Sequence, residues 1–222
     1  LNISADLFSQ GFLWLTNGVA AAMLILALFF INWRVVIANS QIHHVFGLCT
    51  VLLMLAWSLR AGISDGLGIH LFLITAVHLL MGWQLAIWVA ALAISGTIAL
   101  DLEAPEGFGV NMLVSVIVPL LTNYVVWRMH DRSNANHPFS FIFLVATLGG
   151  AISVFSSGAC MTLILWGQNI YAFDQIVNEF WVFIPLIAAP EATINGMFIS
   201  ILIFNYPEWV RLFDEDRYFA SK

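Results

Sequence analysis

The side chains able to do chemistry in this chain lie in four short stretches. A glycine-rich segment, Gly62 to Gly68, is followed at once by His70, just inside an apolar run. Asn111 follows the turn-forming segment 101–109 (DLEAPEGFG), where it either caps the start of the next helix or lines a pocket. Glu191 and Asn195 stand four residues apart in the last apolar run, on one helical face. The first residues, Leu1 and Asn2, open a polar tail, LNISADLFSQ. Together the tail, the Gly62–His70 loop and Asn111 can build one recess, with His70, Asn111, the terminal amine and its neighbouring backbone amides as donors. Nitrogen-rich planar sites suit Ni(II) or Cu(II). On chemistry alone, a lone histidine at a helix start is more often a packed or capping residue, so that reading stands beside the metal one. No cluster for a di-metal oxidase or hydrolase can be assembled: His70 and His78 are offset by about 80° around a helix and approach opposite ends of their span.

The elements that must position these groups are membrane spans. Of 222 residues, 61% are hydrophobic and 9% charged, with mean hydropathy +0.94, where a soluble domain is about a quarter charged. This predicts an all-α, polytopic membrane protein with a single transmembrane domain, 1–222. The net charge of −6 provides no basic footprint for nucleic acid. Nothing matches a phosphate-binding loop or a hydrolase nucleophile elbow. Seven spans are expected: roughly 11–32, 44–59, 68–81, 83–101, 110–128, 139–167 and 182–205. The third has about 14 residues, hence about 21 Å of helix, too short for a hydrocarbon core of about 30 Å. One end must therefore sit below the membrane surface in a pocket walled by protein; if the glycine-rich loop is the sunken end, His70 lies at the floor of a recess.

Orientation follows from the cations. With the N-terminus outside and the C-terminus inside, Arg34, Arg128, Arg132, Arg211, Arg217 and Lys222 lie at inner ends and only Arg60 outside. The outer segments carry Asp6, Asp65, Asp101, Glu103, Glu106, Asp174 and Glu179. Trp14, Trp57, Trp166 and Trp181 map to outer headgroup level, and Trp33, Trp83, Trp127 and Trp209 to inner level. The tail has no Lys or Arg before its first apolar run, so that run is expected to be a retained span and not a signal peptide. Leu1 suggests a non-ATG start whose product begins with methionine and keeps its amine and amide. Cys49 and Cys160 fall inside apolar runs and read as small buried hydrophobes.

Two further features concern packing. In span six Gly149, Ser153 and Ser157 recur every four positions and form one small-residue face, as Gly18 and Ala22 do in span one. Such faces let helices approach closely in lipid, within the bundle or against another subunit. Glu191, directly after Pro190, is an acid deep in a span, so it faces the bundle interior, either as a hydrogen-bonded clasp between helices or as part of the substrate pocket with Asn111 and Asn195. Pro185 and Pro190 should bend that helix.

The order of a tail reading D-L-F-S-x-G-F-L, a glycine-rich loop before His70, G-x-N-M around Asn111 and P-E-A-x-x-N-G-M around Glu191 and Asn195 resembles the CbiM/NikM-type family over nearly the whole chain. These are substrate-capture permeases of energy-coupling factor transporters for cobalt and nickel. The resemblance implies a non-enzymatic subunit of the bacterial inner membrane that binds Ni or Co from the periplasmic side. A transmembrane coupling subunit and two cytosolic ATPases would drive release inward. It also implies a metal held by the terminal amine, the amide and side chain of the second residue, and the histidine after the glycine loop. His70 matches the last; the family's second-position histidine is Asn2 here. A capture subunit retuned for another small solute, or an accessory membrane subunit of another complex, are the alternatives.

Overall fold

The computed structural model describes residues 1–64, 66–133 and 135–219; Asp65 and Lys222, counted above with the outer acids and inner cations, lie outside them. The chain is a helical bundle with a small sheet at one end. Strand β1 (Asn2–Ile3) leads through a turn to α1 (Gln10–Phe30), whose first turn is capped by Ser9 Oγ accepting Phe12 N–H. Next come α2 (Trp33–Ala38) and α3 (Ser40–Ser58), then strands β2 (Ala61–Ser64) and β3 (Leu67–Ile69). A short helix, α4 (Ile74–Met81), turns at Gly82 into α5 (Trp83–Ala99). Span five runs from Pro105 to Asp131 through α6 (Phe108–Met112), a π-turn stretch and α7 (Val118–Asp131). Span six contains α8 (Pro138–Ser140), a second π-turn stretch and α9 (Gly149–Gly167). After α10 (Phe173–Gln175) the last long helix is α11 (Ile184–Asn205), followed by α12 (Glu215–Phe219).

Among the described residues, five helical stretches are long and apolar enough to cross a membrane, and α5, with 17 residues, is nearly so. With α4 as a partial helix, the seven expected segments are present. Apolar side chains cover the outside of the bundle as well as filling its core. Trp14, Phe29, Leu163 and Leu186 face outward, while Asn123, Ser157, Glu191 and Asn195 are buried. This is the distribution expected where the surrounding solvent is hydrocarbon and polar groups must be satisfied internally.

The third segment departs from expectation. Its helix starts at Ile74 and not near Gly68, and its 8 residues make about 12 Å of helix. Residues 67–69 are instead the central strand of a three-stranded antiparallel sheet ordered β1-β3-β2, and Leu73 adopts a left-handed backbone, φ 55°, between extended chain and helix. At its other end α4 reverses through Gly82, φ 80°, a conformation that favours glycine.

The small-residue face of span six is internal. Ser153 Oγ donates to Pro119 O, Ser157 Oγ to Val114 O, and a Cβ at Gly149 would sit 2.5 Å from Asn123 Nδ2. It packs span six on span five, not on a further subunit. Gly18 and Ala22 do not pack within the bundle: both are exposed, and a methyl group added to Gly18 would meet nothing within 4 Å. The close approach to α1 comes from span five, where a Cβ on Gly109 would run into the backbone of Thr16 and Asn17. Cys49 and Cys160 are free thiols, buried and half-buried.

Candidate metal-capture site

The site is assembled by a tail that enters the bundle as a strand. Ser4 N–H donates to Gly66 O at 2.7 Å, and Asn2 pairs with Gly68 on the same edge. Alternation along the strand turns Ile3 the other way, where its N–H donates to Asn111 Oδ1 at 2.9 Å and its C=O accepts from Asn111 Nδ2 at 3.2 Å. A primary amide is the side chain suited to this, because it offers a donor and an acceptor side by side, as a backbone edge does. Ser115 Oγ, four residues further along span five, donates to Leu1 O. Leu1 is consequently fully buried.

The tail delivers the Leu1 amine to His70, N to Nε2 at 3.2 Å. The ring is 8% exposed and lies between Trp57 and Phe72, with centroids 5.4 and 5.8 Å away. Its Nδ1 donates to Leu71 O at 2.9 Å. With the proton held on Nδ1 by a backbone carbonyl, Nε2 presents a lone pair to the amine. A carbonyl behind the far nitrogen is the usual support of a metal-ligating histidine. Two nitrogens bound at right angles to one ion, each about 2.0–2.1 Å from it, stand about 2.9 Å apart; the observed separation needs only a small adjustment. A shallow groove of about 410 Å³ runs beside the ring between Arg60, Ile69 and Pro190.

Electrostatics at the site are set by burial. Withdrawal from water pulls the Leu1 amine from its ordinary 8.0 to about 4, against the pull of Glu191 and Glu103. The amine is therefore a neutral donor with a free lone pair at neutral pH. Burial also pushes Glu103 upward, opposed by the Arg60 guanidinium at 3.3 Å and by hydrogen bonds from Thr97 and Asn111. Among the described residues, no group of three or more His, Cys, Asp or Glu could hold an ion, so any site here relies on the amine, backbone and amide donors beside one imidazole.

The expected site residues fall into two groups. Leu1, Asn2, His70 and Asn111 come together. Glu191 and Asn195 sit beneath them, with their side-chain oxygens committed to the entrance of α4: Glu191 accepts Phe72 N–H at 2.9 Å and Leu73 N–H at 2.7 Å, and Asn195 Oδ1 accepts Ala76 N–H at 2.8 Å. Asn195 Nδ2 also donates to Glu191 Oε1 at 2.8 Å. These two residues act as the helix cap that Leu73 cannot supply. Asn111 caps no helix, since span five starts at Pro105 and Asn111 is held inside it. Sequence reasoning missed Ser115, although its position four residues after Asn111 puts it one turn on along the same helix. Trp57, mapped to the outer headgroup level by its place in the chain, packs inside the protein: its ring is 2% exposed and its Nε1–H donates to Phe72 O at 3.1 Å.

Comparison with known proteins agrees with this architecture. Two solved structures, described as a transition metal transporter and a truncated transition metal transporter, each superpose with a TM-score of 0.79 at 14% identity. They cover 91% and 92% of this chain, and 92% and 99% of their own. At that identity the likeness is one of fold. No curated protein matches the chain in sequence. The family model for the cobalt uptake substrate-specific transmembrane region, CbiM, matches residues 2–209, and the chain belongs to that family.

Proposed function

We propose that this chain is the substrate-capture subunit of an energy-coupling factor transporter, taking up a divalent transition metal, Ni(II) or Co(II), from the periplasmic side of the bacterial inner membrane. The observation that carries the reading is the Leu1 amine facing the unprotonated Nε2 of His70 inside a tail strand that Asn111 and Ser115 fasten. The amine, His70 and the backbone of Asn2 are the proposed ligands. Glu191, Asn195 and Asn111 hold the frame around them. The chain hydrolyses nothing itself; a transmembrane coupling subunit and two cytosolic ATPases supply the work. Purified protein beginning at Leu1 should take up one equivalent of Ni(II) or Co(II) in calorimetry, and His70→Ala should abolish uptake. No heat of binding with an intact tail would reject the assignment.

Asn2 favours a second reading. The family's histidine is replaced here by an amide, which prefers hydrogen bonding to metal ligation, so the pit could hold a small polar solute. Native mass spectrometry that finds metal and no organic ligand in freshly purified protein would eliminate it.

A further inference from the structure

The half-helix after His70 carries a second imidazole for which the outer site has no use. His78 is fully buried. Its Nδ1 lies 2.7 Å from Asn123 Oδ1, and Asn123 Nδ2 donates to Val145 O at 3.0 Å. The Val145 carbonyl therefore fixes which way the amide faces, and the amide oxygen in turn fixes the ring proton on Nδ1. Nε2 is left as a bare lone pair. Buried polar atoms almost always have partners, yet Nε2 has none among the described residues, and neither has the Thr75 hydroxyl. Thr75 is 1% exposed and precedes His78 by three residues, a spacing that makes them neighbours on one side of the helix.

We propose that His78 Nε2 and the Thr75 hydroxyl form an inner way-station for a divalent transition-metal ion on its passage from the outer pit. The inference rests on the metal-capture reading above. Asn123 stands behind His78 as the Leu71 carbonyl stands behind His70, so both rings present Nε2 in the protonation state that ligates metal. His78 lies four residues into α4, about 6 Å inward from Ile74, in the segment that continues directly from the outer ligand. One imidazole and one hydroxyl make a weak site, and water can complete the coordination sphere. Weakness suits a site of transit, because conduction needs binding favourable enough to enter and loose enough to leave. Polar groups kept inside a membrane bundle at the cost of burial characteristically mark such routes.

The test is Co(II) titration of the full chain in nanodiscs, followed by calorimetry and visible absorption. A second equivalent is expected, roughly tenfold or more weaker than the first. His78→Ala should remove it while the first equivalent persists, and Asn123→Ala should weaken it about 10–100-fold. Thr75→Val, which keeps the shape and deletes the hydroxyl, supplies the same test should His78→Ala misfold. Crystals grown in excess Co(II) should show an anomalous peak about 2.0–2.3 Å from His78 Nε2. An ordered water alone at that position, or one equivalent in total that His70→Ala abolishes, overturns the way-station and leaves the capture reading standing. No uptake of any kind overturns both.

Discussion

Leu1 carries the clearest pH signature of any single residue in the outer site. The folded chain keeps its amine neutral down to about pH 4, whereas an exposed amine holds its proton to about 8.0. Between those values the unfolded chain binds a proton that the folded one does not, so this group makes stability rise with pH from about 4 to 8, by at most about 1.4 kcal/mol per pH unit. Glu103 works in the opposite sense: a carboxyl pushed upward by burial favours the fold at low pH and loses that advantage as pH rises through its folded value. Comparing thermal midpoints of the metal-free chain with an N-acetylated one from pH 5 to 8 isolates the amine. The acetylated protein should show the shallower rise. Parallel curves would mean that the amine is hydrated and not buried against His70.

Among the elements, α4 is held by its caps more than by its own propensity, since eight residues are too few to sustain a helix alone. Glu191→Ala would leave Phe72 N–H and Leu73 N–H unpaired in the interior, costing on the order of 2–5 kcal/mol. Glu191→Gln retains one acceptor oxygen and should cost less. Denaturation in nanodiscs would measure both, and equal, near-zero losses would show that water reaches those N–H groups. This is also where the sequence stopped being legible. The long spans could be read because each carries its own apolar run, and a short third segment was evident from the spacing of Gly68 and Gly82. Its true start was not, because the acceptors that define it come from Glu191, 119 residues away. The tail was similar: a strand of two residues has no periodicity, and its position depends on Asn111, 108 residues on. His70 was found because a glycine loop precedes it; Ser115 and Asn123 lie among apolar neighbours in a span and gave no comparable signal.

For the molecule as a whole, the decisive contact is the one between span one and span five. Gly109 lets the backbone of span five touch that of α1 at Thr16 and Asn17, and Asn17 returns two hydrogen bonds across the same junction, accepting Gly109 N–H and donating to Glu106 O. Gly109→Ala should destabilise the protein by about 1–3 kcal/mol and loosen metal binding, because α1 and the tail it continues would be displaced from Asn111. Gly18→Ala, at an open position, should lie within about 0.5 kcal/mol of the parent. Equal behaviour of the two variants in a melting and metal-titration series would refute the junction's importance. The capping of α4 also has a consequence at this scale. Glu191 and Asn195 of α11 grip its outer end, while the chain just beyond α11 grips its inner end, with Arg211 N–H on Leu80 O, Leu212 N–H on Leu79 O and the Arg211 guanidinium on Met81 O. One continuous stretch of polypeptide thus yokes the partial helix fore and aft. A tug applied where α11 emerges on the far side of the bilayer would be conveyed, without a joint in which to dissipate, to the backbone just behind His70.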